Sequence, residues 1–224
     1  MAVTGDPGMF GFDQLPTTVP IFPLTGVLLL PRGRLPLNIF EPRYLAMVRD
    51  ALAGQRLIGM VQPLEPNDPA AEPAVFPVGC AGKITSFSET DDGRFLITLT
   101  GVSRFRIVDE MPRLTPYRQV VADFDSYRED LTPPTDAEEV NRRRLAPALK
   151  SYLELHGLAA DWQAIEQAPA ETLINALAMI CPFSPAEKQA LLEAGDIACR
   201  AETMIALLEM ALAGRAGGPD TPLQ

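Results

Sequence analysis

Val19-Pro-Ile-Phe-Pro-Leu-Thr-Gly-Val-Leu-Leu-Leu-Pro-Arg-Gly-Arg-Leu-Pro-Leu-Asn-Ile-Phe-Glu-Pro-Arg-Tyr44 is the stretch on which the reading of the chain turns. It holds three apolar runs, Ile21 to Leu24, Val27 to Leu30 and Leu35 to Phe40, each too short for a core helix. Pro20, Pro23, Gly26, Pro31, Gly33 and Pro36 punctuate them, and such residues mark turns, bulges and strand edges. Three short extended segments are therefore predicted. Past Phe40 the period changes. Pro42 can open a helix, because its missing N–H would have no partner in the first turn anyway. Tyr44, Leu45, Met47, Val48, Ala51 and Leu52 then recur at helical spacing, and Gly54 closes the segment.

Downstream, Leu57 to Gln62 reads as another strand. Pro63 to Pro77 carries five prolines with Asn67, Asp68 and Glu72, and reads as a long exposed loop at the edge of a binding site. Val78 to Ser88 and Arg94 to Thr100 form the clearest hairpin, joined at Asp92-Gly93 by a turn that needs positive φ angles. Gly101 is expected to turn the chain into Ser103 to Val108, and Pro116 to Phe124 to form the last strand. Antiparallel strands of this kind bury one face and must close or cover their edges. The pattern predicts an α+β fold, a small closed barrel with one inserted helix.

The composition shifts at Tyr127-Arg-Glu-Asp-Leu-Thr-Pro-Pro-Thr-Asp136, which is polar and without strand pattern. The organisation predicted is a flexible arm at 1–14 that can dock through Met9, Phe10 and Phe12, a barrel at 15–127 and a linker at 128–136. A helical subdomain at 137–213 and a disordered tail at 214–224 follow. Within the helical part, Leu145, Leu149, Tyr152 and Leu153 share a face, and Pro147 predicts a kink or two abutting helices. Further helices are expected over 161–167, 170–180, 184–194 and 196–213. Ser184-Pro-Ala-Glu187 pairs an N-cap serine with a first-turn proline and a reciprocal glutamate.

Composition narrows the function classes. Hydrophobic residues make up 47% and charged residues 21% of the 224, as in ordinary soluble globular chains. A formal net charge of −10 argues against a nucleic-acid surface, since that affinity comes from clustered Lys and Arg. Cys80, Cys181 and Cys199 lie far apart, which fits buried free thiols rather than a disulfide framework or a metal site. Neither a signal peptide nor an apolar run of membrane-spanning length is present, so a cytoplasmic protein without membrane contact is expected.

No catalytic set emerges. The lone His156 sits at a helix end, where capping or packing explains it, and no Gly-x-Ser-x-Gly elbow accompanies it. Gly79-Cys-Ala-Gly-Lys83 resembles a phosphate loop only in part, because Pro77 and Ile84 stand where a glycine and a hydroxyl residue are required. Paired carboxylates such as Asp91-Asp92 and Glu138-Glu139 fall in turns and helix starts. No enzyme, cofactor or metal is expected.

Pro20-Ile-Phe-Pro-Leu24 followed by Leu35-Pro-Leu-Asn-Ile-Phe-Glu-Pro-Arg-Tyr44 resembles the opening of the amino-terminal, substrate-binding domain of the Lon protease family. The resemblance continues through Ile58-Gly-Met-Val-Gln62, Val78-Gly-Cys-Ala-Gly-Lys-Ile84 and the segment from Gly93 to Ile107, with a weaker helical continuation to about residue 213. It implies a PUA-like β pseudobarrel followed by a carboxy-terminal α-helical subdomain. Lon proteases carry their Ser–Lys dyad and ATPase in other domains, so the expectation is the free-standing bacterial form without them. Ser184 and Lys188 have helical spacing, but the serine is better explained as a cap.

By this resemblance the function is that of a non-catalytic polypeptide-binding module. Its partners would be unfolded or regulatory polypeptides, and an ATP-dependent protease is a further candidate. An RNA- or nucleotide-binding role is the alternative, since PUA-like barrels also bind RNA. The oligomeric state is open. The candidate polypeptide-binding residues are Asn38, Phe40, Glu41, Arg43 and Tyr44, with Asn38 standing where a histidine is common in the family. Two readings of this group stand side by side. In one, Glu41 caps the helix while Tyr44 packs with Leu45 and Val48. In the other, Arg43 and Tyr44 anchor a partner at the helix start.

Overall fold

A computed structural model of the chain describes residues 11–65, 72–132 and 140–216. The first half contains β1 (Thr18–Pro23), β2 (Arg34–Ile39), α1 (Pro42–Ala53), β3 (Leu57–Val61), β4 (Val78–Glu89), β5 (Phe95–Glu110) and β6 (Gln119–Asp123). The sheet order is β2-β5-β4-β3-β1-β6, and a further pairing of β5 with β6 closes the ring. β1 and β3 run parallel, joined by a crossover that contains β2 and α1, while the other pairs are antiparallel. This is the PUA-like pseudobarrel, with α1 as its inserted helix.

Closure depends on β5, whose length lets it pair with β2 and β4 in its first half and with β4 and β6 in its second. Phe105 fills the ring beside Ile21, Val61, Val120 and Phe124. It fits because β3 and β4 offer glycines there: a Cβ on Gly59 or Gly79 would lie 2.7 or 2.9 Å from Phe105 Cζ. Phe12, in a 3-10 turn over Phe12–Gln14, packs against the same cluster. Met9 and Phe10 lie outside the described residues.

Two strand expectations fail for one reason. Leu28, Leu29 and Leu30 form no strand, although all three are buried. Gly101 makes no turn either, since β5 continues through it with a register shift against β4 beside it. The backbone after Leu29 crosses β5 at this glycine, where a Cβ would come within 2.0 Å of the Leu30 carbonyl oxygen. Gly101 donates to Gly33 O and accepts from Arg32 N, both at 2.8 Å. The apolar run is thus a plug laid over the sheet, and the glycine is its seat. The β4–β5 turn also differs: Gly93 has φ +79°, whereas no positive φ occurs at Asp92.

The second half is helical: α2 (Arg142–Leu155), α3 (Trp162–Gln167), α4 (Ala170–Ile180), α5 (Pro185–Glu193) and α6 (Ile197–Ala216). Ser184 and Glu187 form the reciprocal cap. α2 starts after Asn141, whose side chain accepts from Arg144 N. Pro147 lies within it on its exposed side, so of the two expected arrangements the pair of abutting helices is replaced by one helix. His156 ends α2 with its ring 4.4 Å from that of Tyr152. Cys80 and Cys181 are buried, but Cys199 is exposed, against expectation.

The helices close over the barrel and do not stand beside it. One hydrophobic cluster joins Leu28, Leu29, Ile84 and Leu99 of the barrel to Leu149, Ile174, Leu191 and Met204 of the helices. Polar groups tie the same seam: Gln189 Nε2 donates to Val78 O at 3.1 Å, and Lys188 Nζ to Gly26 O at 2.8 Å. The stretch read as a linker takes part. Asp125–Leu131 forms two 3-10 turns kinked at Tyr127, with Tyr127 and Asp130 buried, and Asp130 is the counter-ion of a buried Arg104. Residues 133–139 lie outside the described residues. At the other end α6 extends to Ala216, beyond the expected helix limit, and residues 217–224 are outside the described set.

Candidate functional site

The five residues singled out from the opening motif are divided by the fold. Asn38 is exposed on β2 opposite Leu96, and Phe40, just past the strand, is 61% exposed with the Arg94 guanidinium 6.0 Å from its ring. Glu41 is the N-cap of α1 through its backbone, since its carbonyl accepts from Tyr44 N and Leu45 N at 2.9 Å. Its side chain makes no capping bond and pairs with Arg43, whose Nε lies 3.0 Å from Glu41 Oε2. Tyr44 is only 7% exposed, with its ring 4.2 Å from that of Phe22. The Arg43 guanidinium covers the Tyr44 ring at 4.7 Å.

Arg43 and Tyr44 also line a cleft of about 400 Å³. Its walls come from four places in the sequence. β1 supplies Ile21 and Pro23; the start of α1 supplies Arg43 and Tyr44; the described parts of the Pro-rich loop supply Pro63, Glu72 and Pro73. Arg113, Pro116, Tyr117 and Arg118, on the β5–β6 connection, close it. Asn38, Phe40 and Glu41 are not among the lining residues.

The cleft is braced from behind. Tyr117 donates its hydroxyl proton to Asp50 Oδ2 at 2.7 Å, tying the connection to α1. Arg118 holds Glu110 through both carboxylate oxygens at 2.7 Å and donates to Pro73 O at 2.7 Å. Those bonds from Arg118 hold the Glu110 carboxyl below the usual carboxylate range. Burial raises the Tyr44 phenol. Burial, with the Asp50 hydrogen bond second, pushes Tyr117 up to about 12. Both phenols are therefore neutral at physiological pH, and the lining presents rings, prolines and guanidinium groups to whatever enters. Each of the three guanidinium groups is paired with a carboxylate, Arg43 with Glu41, Arg113 with Glu72 and Arg118 with Glu110.

Arg113, Pro116, Tyr117 and Arg118 were invisible as site residues in the sequence. The connection that carries them has no motif, and only the closure of β5 onto β6 brings it across from α1. A second groove of about 370 Å³ lies between Pro31–Arg34 and α4, where Arg32 pairs with Glu171 and Ile180 is 77% exposed. It too had no sequence signal. Among the described residues, no cluster of three or more His, Cys, Asp or Glu is placed to hold a metal, and no helix is long and apolar enough to cross a membrane.

The family model of the ATP-dependent protease La (LON) substrate-binding domain matches residues 18–210. The chain belongs to that family. The LON substrate-binding domain is similar to part of Lon protease 2 of Myxococcus xanthus, with 27% identity over 90% of this chain and 24% of the relative. It thus spans about a quarter of the length of the curated relatives it matches. Two solved structures share its fold. The Lon N-terminal domain protein from Xanthomonas campestris has a TM-score of 0.59 at 24% identity, covering 85% of this chain and 98% of that one. The N-terminal domain of Mycobacterium avium complex Lon protease has a TM-score of 0.60 at 18% identity, covering 86% and 98%. The chain therefore carries a substrate-recognition type of domain, and its match is confined to that portion of the relatives.

Proposed function

We propose that this LON domain is a non-catalytic module that holds extended polypeptide segments in the cleft at the start of α1, and so selects substrates for an ATP-dependent protease. One observation carries the reading: the cleft of about 400 Å³ brings the family's own Arg43-Tyr44 pair against prolines and a second tyrosine. A groove walled by aromatic rings and prolines suits an extended chain, which offers alternate side chains to pockets and its backbone to the rim. The neutral phenols and paired guanidinium groups recognise; they make and break no bonds. Unfolded or regulatory polypeptides are the partners of this reading, and the protein works in the cytoplasm.

The test is binding of a permanently unfolded, fluorescently labelled polypeptide followed by anisotropy, with wild-type protein and with Pro116→Glu. Pro116 is exposed on the cleft wall, so this variant keeps the fold and plants a charged side chain among the rings. Weakened binding at an unchanged melting temperature supports the cleft. Full binding by Pro116→Glu refutes it. In parallel the wild-type chain hydrolyses no ATP and leaves casein intact; activity that disappears on substitution of one of its residues would overturn the non-catalytic reading.

A further inference from the structure

We infer that the free edge of β2 accepts an extended polypeptide segment as an added strand, with an apolar side chain of that segment seated in the groove beside α4. This site shares no lining residue with the cleft and stands without it. Among the described residues β2 bonds only β5, so one long side of Arg34–Ile39 is left without a ladder. The bond from Gly101 N to Gly33 O sets the phase. Leu35, Leu37 and Ile39 turn their backbone groups to β5, while Arg34, Pro36 and Asn38 turn theirs outward. Arg34 and Asn38 each offer a donor and an acceptor there, and Pro36 an acceptor alone. An exposed edge of this kind is a template for a further strand.

The surroundings select the strand. Leu35 and Leu37 pack against the core yet are only half-buried, as inward side chains are where the next strand is missing. Apolar residues at alternate positions of an added segment complete that cover. At the Arg34 end lies the groove of about 370 Å³, where Ala176 and Ile180 of α4 are exposed, Ile180 at 77%. Arg34 is exposed on the rim of this groove and makes no ion pair among the described residues, whereas Arg32 beside it is paired with Glu171. An acidic residue on the outward face of the added strand complements Arg34 as a cross-strand pair.

A second copy of this chain fits less well. Two β2 strands paired antiparallel in the register of fullest overlap set Pro36 against Pro36, where neither residue can donate. The occupant is therefore a strand from another polypeptide, alternating apolar and polar, with a carboxylate among its polar residues.

The experiment reads anisotropy of a labelled peptide, Ser-Val-Asp-Val-Thr-Leu-Ser, on the full chain. Two further versions carry backbone N-methyl groups, one at the odd and one at the even positions, and a third has Asn for Asp. Wild type is compared with Asn38→Pro, Arg34→Gln, Ile180→Glu and Pro116→Glu, and each melting temperature is recorded.

An added strand turns alternate N–H groups to β2, so one methylated version should bind at least about tenfold more weakly and the other nearly as well as the parent. Asn38→Pro, which removes an edge donor, and Ile180→Glu should weaken binding at an unchanged melting temperature. Asn for Asp should weaken it in wild type and make no difference in Arg34→Gln. Pro116→Glu should bind as wild type does. Equal binding of the two methylated versions overturns the added strand, as does failure of the peptide to bind wild type. Loss confined to Pro116→Glu overturns it too, and leaves the cleft standing. A concentration-dependent dimer that excludes the peptide and is abolished by Asn38→Pro would put a second copy on the edge and overturn the assignment of the occupant.

Discussion

The Arg104 guanidinium, on β5, clasps the Asp130 carboxylate through Nε at 2.9 Å and Nη2 at 2.8 Å, with both side chains more than nine-tenths buried. The same guanidinium donates to the carbonyls of Leu192, Ala194 and Gly195, where α5 ends. Those carbonyls have no partner within the helix, and a cation there also complements the helix dipole. One arginine thus ties the barrel, the segment after it and the helices into one unit. Arg200 lies deeper in the same seam, donating to Leu191 O at 2.8 Å and to Asn175 Oδ1 at 2.9 Å.

Asp130→Ala leaves Arg104 buried without its counter-ion. Removing one partner of a buried pair costs about 3–5 kcal/mol. Urea unfolding should show that loss, and a single transition monitored equally by near-ultraviolet and far-ultraviolet signals. Two separated transitions would mean that the barrel and helices unfold independently.

A chain cut after Thr132 tests the seam from the other side. The barrel would keep its ring but expose Leu28, Leu29, Ile84 and Leu99, which the helices cover in the whole chain. It is expected to aggregate or to unfold without cooperativity. A sharp, reversible melt of that fragment would contradict the shared core.

Tyr44 and Arg43 separate under substitution. Tyr44→Ala removes a ring packed on Phe22 and should cost about 3–5 kcal/mol. Tyr44→Phe keeps the packing and stays folded. Arg43→Ala breaks an exposed pair worth about 0–1 kcal/mol and a stacking contact on Tyr44 worth about 0.5–1 kcal/mol, so its melting temperature falls less than that of Tyr44→Ala. Thermal melts of the three variants decide this, and a stable Tyr44→Ala would show that the ring is not a core residue.

Gly101→Ala drives a methyl group into the Leu30 carbonyl, a backbone atom that cannot swing aside. Overpacking of this kind costs typically about 1–3 kcal/mol and occasionally more. Gly93→Ala is the contrasting case, because nothing lies within 4 Å of its Cβ and only its positive φ is strained. Denaturant midpoints should fall further for Gly101→Ala.

Alkaline pH weakens the fold through two phenols. Burial, helped by Asp50 at Tyr117, raises Tyr117 and Tyr152 to about 12 from an ordinary value of 10.0. A group whose folded value is raised contributes stability that is whole below the unfolded value. That contribution drains away as pH climbs from about 10 to about 12, because the unfolded chain gives up protons that the folded chain keeps. Urea midpoints across this window should fall, and Tyr117→Phe should flatten the fall.

Much of the architecture is determined by local sequence. Pro42, the helical period after Tyr44 and Gly54 specify α1; the Ser184-Pro-Ala-Glu187 cap specifies the start of α5; alternation on either side of Gly93 specifies the long hairpin. These are interactions between residues a few positions apart, so the sequence displays them. The opening motif likewise carried the family, which the match over residues 18–210 then showed. Tertiary structure decided what depends on residues far apart. Leu28 to Leu30 have the composition of a strand, yet they plug the sheet because Gly101, some seventy positions later, admits their backbone. Asp130 has the look of a solvated linker residue, and Arg104 from another strand makes it a buried anchor. The cleft joins Tyr44 to Tyr117 only because β5 closes onto β6, and ring closure is a long-range event that no window of sequence contains.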